Sequence, residues 1–273
     1  MDKLSIYFLS FLLAAIGCNR QEGINIDQLT ASQKAAKTQE LDSLKSHYYQ
    51  GAKIREAMFD TLIALNPENE YYYREKSVAH SKIGDYHIAI PLLEKSASLN
   101  PSESLYYYSW LLTNLYHDYE RALVRLQQYD DLTPGSIDYA WGENVNFLKG
   151  QMYKQLKRYD EAIREFDYYI ATEGEYVDMY VYVYRGITYL EKGSYEEALI
   201  DFEQALTLFD KCAMAQYYKG LTYLQLSDTS SALEAIYKAK ALVEKGYKKR
   251  DPYKEVYNEV HLMQIEDKLA EIQ

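Results

Sequence analysis

The sequence is poor in the residue patterns from which catalytic and metal sites are built. Its 273 residues include only five histidines and two cysteines. No two histidines stand at the spacing of a metal site with a carboxylate, and zinc needs three or four converging ligands. A glycine-rich phosphate loop and a GxSxG nucleophile motif are also absent from the sequence. We therefore expect no metal ion and no other cofactor, and we do not expect an enzyme.

Positive charge is also scarce. The chain has 30 lysines and arginines against 41 aspartates and glutamates, which gives a formal net charge of −11 and a pI near 5.0. Nucleic-acid binding depends on basic side chains that neutralise phosphates, so nucleic acid is not an expected partner. The acidity instead suits an elongated surface that stays soluble.

Only one long apolar run is present, at residues 4–16, and two serines and Tyr7 interrupt it. It is shorter than the ~20 residues of a membrane-spanning helix, so it is typical of a secretory signal sequence. The block AIGC, residues 15–18, resembles a bacterial lipobox, although its first alanine stands where leucine is usual. The resemblance implies a lipoprotein signal peptide at residues 1–17 and a lipidated Cys18 that anchors the chain to a membrane face. The alternative is an ordinary signal peptide with an incidental cysteine.

With Cys18 lipidated, Cys212 is the only free thiol, so a fold stapled by disulfides is not expected. Cys212 falls at a repeat junction, where we expect it to be a small apolar filler. Residues 18–36 are mostly polar or small and contain no aromatic side chain. They predict a flexible tether that lifts the folded part off the membrane.

Alanines recur along the rest of the chain at a nearly fixed period. Their intervals are 33, 40, 36 and 34 residues, and each alanine is followed four residues later by a large apolar side chain. The alanines are Ala89, Ala122, Ala162, Ala198 and Ala232, and the apolar residues are Leu93, Leu126, Phe166, Phe202 and Ile236. Self-similarity with a period near 34 residues indicates stacked units that bury their apolar faces against one another.

The residues around these alanines resemble the tetratricopeptide repeat, a family whose unit is a pair of antiparallel helices. The clearest copy is Tyr182, Gly186, Tyr189, Gly193, Tyr195, Ala198, Phe202 and Ala205. The resemblance implies an all-α fold, a right-handed superhelical solenoid of about five to six helix-turn-helix units with a C-terminal capping helix. The implied units are residues 37–69, which are degenerate, 70–103, 104–136, 137–178, 179–212 and 213–246, and the capping helix is 253–273.

Two stretches depart from the repeat. Six extra residues, 137–142, precede the fourth unit, and their apolar side chains Ile137, Ala140 and Trp141 have helical spacing. We therefore expect a first helix that is lengthened at its start. In the capping helix, apolar residues fall near one face: Val256, Val260, Met263, Ile265 and Leu269. A recognition helix for a partner is the alternative role. The basic run at residues 248–250 follows a helix end, where cations interact favourably with the helix dipole.

In the family, the first helix of each unit lines the inner groove of the superhelix. Carrying that register over to this chain implies eight partner-binding residues: Tyr71, Arg74, Tyr108, Tyr116, Phe147, Gln151, Tyr180 and Tyr217. The lysine and asparagine positions with which some members clamp a C-terminal carboxylate are not matched. Such a groove could hold an apolar or aromatic-rich peptide, or an amphipathic helix. The alternative is that these side chains pack against each other or against the C-terminal helix.

The sequence thus leads to a functional hypothesis. We expect a non-catalytic scaffold, lipid-anchored in the bacterial cell envelope and facing the periplasm, that binds a peptide or protein partner in an aromatic groove. A glycan-binding envelope lipoprotein, in which tyrosine faces stack on sugar rings, is the alternative.

Overall fold

The computed structural model describes residues 25–136, 138–140, 142–251 and 254–272. Within these ranges the chain forms thirteen α-helices and one two-stranded sheet. The helices are α1 Ala31–Lys45, α2 Lys53–Leu65, α3 Glu70–Ile83, α4 Tyr86–Leu99, α5 Pro101–Leu111, α6 Tyr119–Asp130, α7 Val145–Gln155, α8 Tyr159–Glu173, α9 Met179–Lys192, α10 Tyr195–Leu208, α11 Ala213–Gln225, α12 Thr229–Glu244 and α13 Leu262–Ile272. A π-helical turn, Leu112–Tyr116, continues α5. The strands are β1 Tyr139–Ala140 and β2 Glu143–Asn144. The predicted signal peptide and Cys18 lie outside the described residues.

Consecutive helices pair as the first and second helices of six units, from α1 with α2 to α11 with α12. The second helix of each unit also packs on the first helix of the next unit, and α13 packs on α12. The units therefore stack in chain order, as expected when no single unit can bury its own apolar face. This arrangement confirms the all-α solenoid that the resemblance to the tetratricopeptide repeat implies.

The turn inside each unit from the second onward places one residue in the left-handed backbone region. Gly84 and Gly193 take this conformation after α3 and α9, with φ of 82° and 91°. His117, Lys157 and Ser227 take it in the other units. The next backbone N–H then donates to a carbonyl near the end of the first helix, at 2.9 Å in all five units. These bonds satisfy carbonyls that would otherwise lack a partner at the helix end, and they reverse the chain sharply.

The alanines of the repeat lie where neighbouring helices come closest. All five are fully buried, and so are the large apolar side chains four residues later. In the last three units a glycine on the first helix lies directly beneath that apolar side chain: Gly150 beneath Phe166, Gly186 beneath Phe202 and Gly220 beneath Ile236. Small residues on both helices thus leave room for one ring or branched side chain between them.

The predicted tether, residues 18–36, is too long at its C-terminal end. Helix α1 begins at Ala31, and Thr30 caps it through a reciprocal capping box with Gln33. The Thr30 N–H donates to Gln33 Oε1 at 2.9 Å, and the Gln33 N–H donates to the Thr30 hydroxyl at 3.3 Å. Ile26 and Leu29 pack on the apolar cluster of the first unit. The polar composition of residues 18–36 led to the prediction of a tether, although Thr30 and Gln33 have the residue types and spacing of a capping box at a helix start.

The prediction of a lengthened helix before the fourth unit is wrong. Strand β1 pairs antiparallel with β2, and α7 begins only at Val145. Gly142, with φ of 76°, lies between the strands, where a left-handed residue lets the chain reverse. The Asn144 side chain then accepts hydrogen bonds from two N–H groups of the first turn of α7 and fixes its start. Ile137 and Trp141 lie outside the described residues.

The C-terminal helix is also shorter than predicted. Helix α13 begins at Leu262, and the described residues between 247 and 261 are not helical. Four of the five apolar residues assigned to one helix face are nevertheless buried: Val256, Val260, Ile265 and Leu269. Met263 is 73% exposed. Val256 and Val260 therefore lie in a non-helical part of the chain, and only Ile265 and Leu269 lie in the capping helix.

Candidate functional site

A non-helical stretch of chain lies across the first helices of units three to six. We call residues 247–261 the C-terminal segment. Its described residues contact the π-helical turn after α5 and also α7, α9 and α11, through hydrogen bonds and aromatic contacts. All of these elements belong to the first-helix layer. The segment therefore occupies the side of the solenoid that the tetratricopeptide pattern assigns to the inner groove, and we call this side the concave groove.

Lys249 of the C-terminal segment packs among three aromatic rings. Its Nζ lies 4.1 Å from the ring centroid of Tyr180, 5.5 Å from that of Tyr184 and 5.8 Å from that of Phe147. The negative faces of aromatic rings attract an ammonium group at such distances. We call Phe147, Tyr180 and Tyr184 the lysine cage.

Among the described residues, Lys249 has ring contacts but no salt bridge. Burial lowers the pKa of Lys249, because the charged form loses hydration, and the more distant carboxylates Glu143 and Asp178 oppose this shift. The rings and the carboxylates of Glu143, Asp178 and Asp251 thus favour the ammonium form, and the positive charge of Lys254 opposes it.

Tyr257 connects the segment to both halves of the groove. Its hydroxyl donates to the carbonyl of Thr113 in the π-helical turn at 3.2 Å, and its own carbonyl accepts from the Tyr184 hydroxyl at 3.1 Å. Its ring meets that of Tyr119 edge-on, with 6.2 Å between centroids. Burial raises the pKa of both Tyr257 and Tyr184, so both phenols stay protonated and can donate.

The next residue, Asn258, turns the segment. It adopts a left-handed conformation with φ of 57°, which asparagine tolerates better than most side chains. Its Oδ1 accepts from Lys154 Nζ at 3.0 Å, and its carbonyl accepts from the Tyr218 hydroxyl at 3.3 Å. Lys154 is buried and also pairs with Glu191 at 2.8 Å. Groove side chains therefore bind the backbone as well as one side chain of the segment.

Ion pairs fix the segment further. Lys254 Nζ lies 2.6 Å from Glu143 Oε2 in β2, so the hairpin that precedes α7 contacts the segment. Lys248 pairs with Glu259 within the segment itself. Val256 and Val260 supply the buried apolar part.

The N-terminal end of the concave groove is open. A cleft of about 690 Å³ lies between α3, α5 and the C-terminal segment. Its wall combines aromatic side chains of α5 with charged residues of both signs: Arg74, Lys82, Tyr106, Tyr107, Trp110 and Asp251. Lys82 is exposed at the mouth and donates to Gln50 Oε1 at 2.6 Å. The cleft has the size and the mixed lining of a ligand pocket.

The structure distributes the eight predicted groove residues over three environments. Arg74 lines the open cleft. Phe147 and Tyr180 lie beneath Lys249, Tyr217 hydrogen-bonds to Gln264 of α13, and Gln151 is buried. The other three, Tyr71, Tyr108 and Tyr116, make contacts between helices. In this conformation Tyr180 is half-buried and the rest of the second group is buried, and the C-terminal region contacts Phe147, Tyr180 and Tyr217.

Tyr108 is the clearest departure from the predicted register. It is fully buried, its hydroxyl donates to Glu94 on α4 at 3.4 Å, and Arg125 of α6 lies over its ring. Tyr108 thus points between second helices and away from the cleft. Only 33 residues separate Ala89 from Ala122, so the third unit is shorter than the repeat period. A register counted from the start of that unit is therefore displaced on α5. The residues of α5 that line the cleft are Tyr106, Tyr107 and Trp110.

The other two inter-helix tyrosines lie in the N-terminal half. Tyr116 hydrogen-bonds to Ser81 at 2.6 Å, and its ring packs at a tilt against that of Tyr86 with 4.0 Å between centroids. Tyr71 lies under the ammonium group of Lys45 at 5.3 Å from its ring centroid. Both rings tie neighbouring units together.

The sequence did not reveal the residues that fill the groove. Lys249 belongs to the basic run expected to stabilise a helix end, and Tyr257 and Asn258 fell inside a predicted helix. The available signal was weak: Gly246 ends α12, and the aromatic and basic residues that follow have no regular period. A non-periodic stretch rich in tyrosine and lysine is compatible with an ordered contact, but it does not identify the surface.

The described residues include no group of three or more histidine, cysteine, aspartate or glutamate side chains placed to hold a metal ion. No helix in the same ranges combines the length and the apolar character needed to span a bilayer. Cys212 is buried and unpaired, at the N-cap of α11.

Comparison with known sequences detects the repeat directly. Two family models described as tetratricopeptide repeat match residues 144–167 and 183–246. The chain is also 26% identical over 109 residues to anaphase-promoting complex subunit 3 of Schizosaccharomyces pombe strain 972. That match covers 40% of this chain and 16% of the relative, so the chain spans about a sixth of the length of the curated protein it resembles.

Solved structures show the same fold at low sequence identity. MamA from Desulfovibrio magneticus RS-1, residues 41 to the end, superposes with a TM-score of 0.54 and 21% identity over 64% of this chain and 96% of that one. YrrB gives 0.51 and 20% over 67% and 91%, and PilW gives 0.54 and 14% over 78% and 94%. At these identities the likeness concerns the fold alone. The chain thus contains tetratricopeptide repeats and folds as a solenoid of that class.

Proposed function

We propose that the protein is a non-catalytic scaffold that binds a peptide segment of a partner protein in its concave groove. The observation that carries the proposal is the open cleft of about 690 Å³ at the N-terminal end of a groove whose other end already holds a non-helical chain. A groove that binds a segment of its own chain through backbone carbonyls has the chemistry needed to bind a peptide.

The lining of the cleft suggests what kind of peptide fits. Tyr106, Tyr107 and Trp110 offer large rigid surfaces, which are common anchors at binding sites. Charged groups of both signs lie on each side of the cleft: Arg74, Glu75 and Lys82 on α3, and Asp251 and Lys254 on the C-terminal segment. A peptide with an apolar or aromatic anchor and flanking charges matches this pattern. YrrB, a solenoid of the same class, is described as a protein with an unusual peptide-binding site.

The test is peptide selection against the full chain, followed by affinity measurement with variants. Lys82→Glu and Arg74→Ala alter the edge of the cleft, and Lys238→Glu on the exposed surface of α12 is the control with the same charge change as Lys82→Glu. We expect selected peptides to bind the two cleft variants at least ~5-fold more weakly, because a lost charge contact is worth about 1 kcal/mol. The control should bind as the unaltered chain does.

Equal affinity for all four chains would place binding elsewhere and contradict the proposal. Binding of glycans with no selectable peptide would favour the glycan alternative. Far-UV circular dichroism of each variant verifies that the helices remain intact.

We also propose that the chain is lipid-anchored through Cys18 in a bacterial cell envelope, facing the periplasm. The support is the apolar run at residues 4–16 followed by the lipobox-like block. Expression in a bacterial host with a clickable fatty acid tests it. We expect label and membrane association for the unaltered chain and for Cys212→Ser, and neither for Cys18→Ser. Release of an unlabelled, processed chain would instead indicate an ordinary signal peptide.

A further inference from the structure

The contacts of the C-terminal segment resemble those of a bound ligand more than those of a helix in the core. Tyr184 and Tyr218 donate to its backbone carbonyls, Lys154 donates to the side chain of Asn258, and Lys249 inserts into the lysine cage. Each of these donors belongs to the first-helix layer. The described residues of the segment contribute no helix to that layer.

We infer that the lysine cage is a recognition site for a lysine side chain, that the C-terminal segment is its internal ligand, and that a partner peptide presenting a lysine binds by displacing the segment. This inference rests on the proposed peptide-binding function and names the chemistry of the partner. Its occupant in the described chain, Lys249, is the direct evidence for the kind of side chain that the cage accepts.

The cage distinguishes a cation from other side chains through two features. Three ring faces surround the ammonium group, the nearest at 4.1 Å, and a desolvated cation gains more from such faces than an exposed one. Glu143 and Asp178 add negative potential without contacting the amine, whereas Asp251 and Lys254 of the C-terminal segment itself act on it with opposite signs. A neutral side chain would lose both attractions, and a carboxylate would be repelled by both the rings and the acids.

The geometry also explains how a partner could compete with a tethered ligand. A segment joined to the same chain acts at an effective concentration on the order of millimolar, so a free peptide with only the same contacts competes poorly. The open cleft adjoins the segment, since Asp251 and Lys254 belong to its wall. A partner that fills the cleft and also places a lysine in the cage makes contacts that the segment alone does not make.

The experiment adds a labelled synthetic peptide with the sequence of residues 246–261 to three forms of the full chain. These are the unaltered chain, Lys249→Glu and Arg250→Glu. Arg250 is exposed and adjacent, so its substitution makes the same charge change without touching the cage. We expect the peptide to bind Lys249→Glu at least ~10-fold more tightly than the other two, because only that variant vacates the cage.

Equal binding to all three chains would overturn the inference. A second peptide carrying the Lys249→Glu substitution tests the selectivity of the cage: it should not bind the opened chain, and binding equal to that of the first peptide would show that the cage does not recognise the cation.

A further variant protects the test against misfolding of Lys249→Glu. Tyr257→Phe keeps every charge and removes only the hydroxyl that donates to Thr113, so it loosens the segment by a different route. It should also bind the first peptide more tightly than the unaltered chain, and no gain for either loosened variant would contradict the inference. The Lys82→Glu variant separates the two proposals, because it alters the cleft and leaves the cage intact.

Discussion

At the scale of single residues, the solenoid depends on three helical glycines that have no conformational role. Gly150, Gly186 and Gly220 lie within first helices and are not in left-handed conformations. A Cβ on Gly186 would lie 2.8 Å from Cε1 of Phe202, a distance that real Cβ atoms do not adopt. The glycine is therefore required by the ring above it.

This close approach gives a prediction for Gly186→Ala. Alanine favours an isolated helix over glycine by about 1 kcal/mol, but overpacking a rigid, fully buried site costs about 1–3 kcal/mol. Because Phe202 is fully buried and lies directly against Gly186, we expect the steric term to win and the chain to lose about 1 kcal/mol of stability. Urea denaturation followed by circular dichroism measures the change.

The matching control is the double variant Gly186→Ala with Phe202→Leu. Leucine removes the ring atoms that the new methyl group would meet, so the two substitutions should be less destabilising together than the sum of their separate effects. Strict additivity would show that the methyl group and the ring do not compete for space.

The groove residues show what a repeat register can and cannot predict. Counting from the start of each first helix places Phe147 and Tyr180 on the correct face, and both contact Lys249 there. The same procedure fails for Tyr108, where the unit is one residue short and a π-helical turn follows. The repeat register does not indicate that Lys249 covers this face. The contact joins residues about 70 to 100 positions apart in the sequence, and it consists of one ammonium group against three aromatic rings.

At the scale of elements, the π-helical turn Leu112–Tyr116 and the C-terminal segment act as one contact. The turn supplies the Thr113 carbonyl that accepts from Tyr257, and π-helical turns often mark functional positions. The bond joins the third unit to a segment that otherwise contacts mainly the fourth to sixth units. It therefore ties the two halves of the groove together.

Removing this bond with Tyr257→Phe should loosen the segment and leave the units folded. A buried hydrogen bond contributes about 1 kcal/mol, so local opening of the segment should increase roughly fivefold. Hydrogen–deuterium exchange of peptides covering residues 254–261 measures this, with peptides from α9 and α10 as an internal reference.

Tyr247→Phe is the control for this prediction, because Tyr247 belongs to the same segment and contacts Phe209 and Lys211 through its ring rather than its hydroxyl. It should leave exchange in residues 254–261 unchanged. Faster exchange in both variants alike would mean that the Thr113 bond does not hold the segment in place.

Helices with strong local signals were predictable, and elements held by distant contacts were not. The second helices of the repeat follow from the alanine and apolar spacing alone. The hairpin before α7 has strands of two residues each, and its contacts are tertiary: Tyr139 bonds to Glu173, and Glu143 pairs with Lys254. Strands of two residues are too short to show an alternating pattern. The helical spacing of Ile137, Ala140 and Trp141 therefore led to the wrong prediction of a helix there.

At the scale of the whole molecule, the abundance of tyrosine makes stability depend on pH. The chain has 31 tyrosines, and six of those that the structure describes are buried. Burial raises the pKa of Tyr184 and Tyr108 above the usual value of 10.0 and that of Tyr217 to about 12. Ionisation of these phenols would place a charge among the packed first helices, which burial opposes.

We therefore expect the protein to unfold in alkali at a pH where an isolated repeat fold of ordinary composition would survive. The unfolded chain loses each of these protons near pH 10, whereas the folded chain retains them, so the folded state binds more protons above that pH. Stability is fully present below about pH 10 and falls as the pH rises, by about 1.4 kcal/mol per pH unit for each phenol that ionises only on unfolding. Lys249 acts in the opposite direction, because burial lowers its pKa, but it is a single group and its contribution ends near its unfolded pKa of 10.5.

Tyrosinate absorbance in the folded and urea-unfolded states, measured beside circular dichroism, tests this prediction. The buried phenols should ionise together with the loss of helix. Ionisation of all the phenols near pH 10 with the helices intact would show that the superhelix does not enclose them.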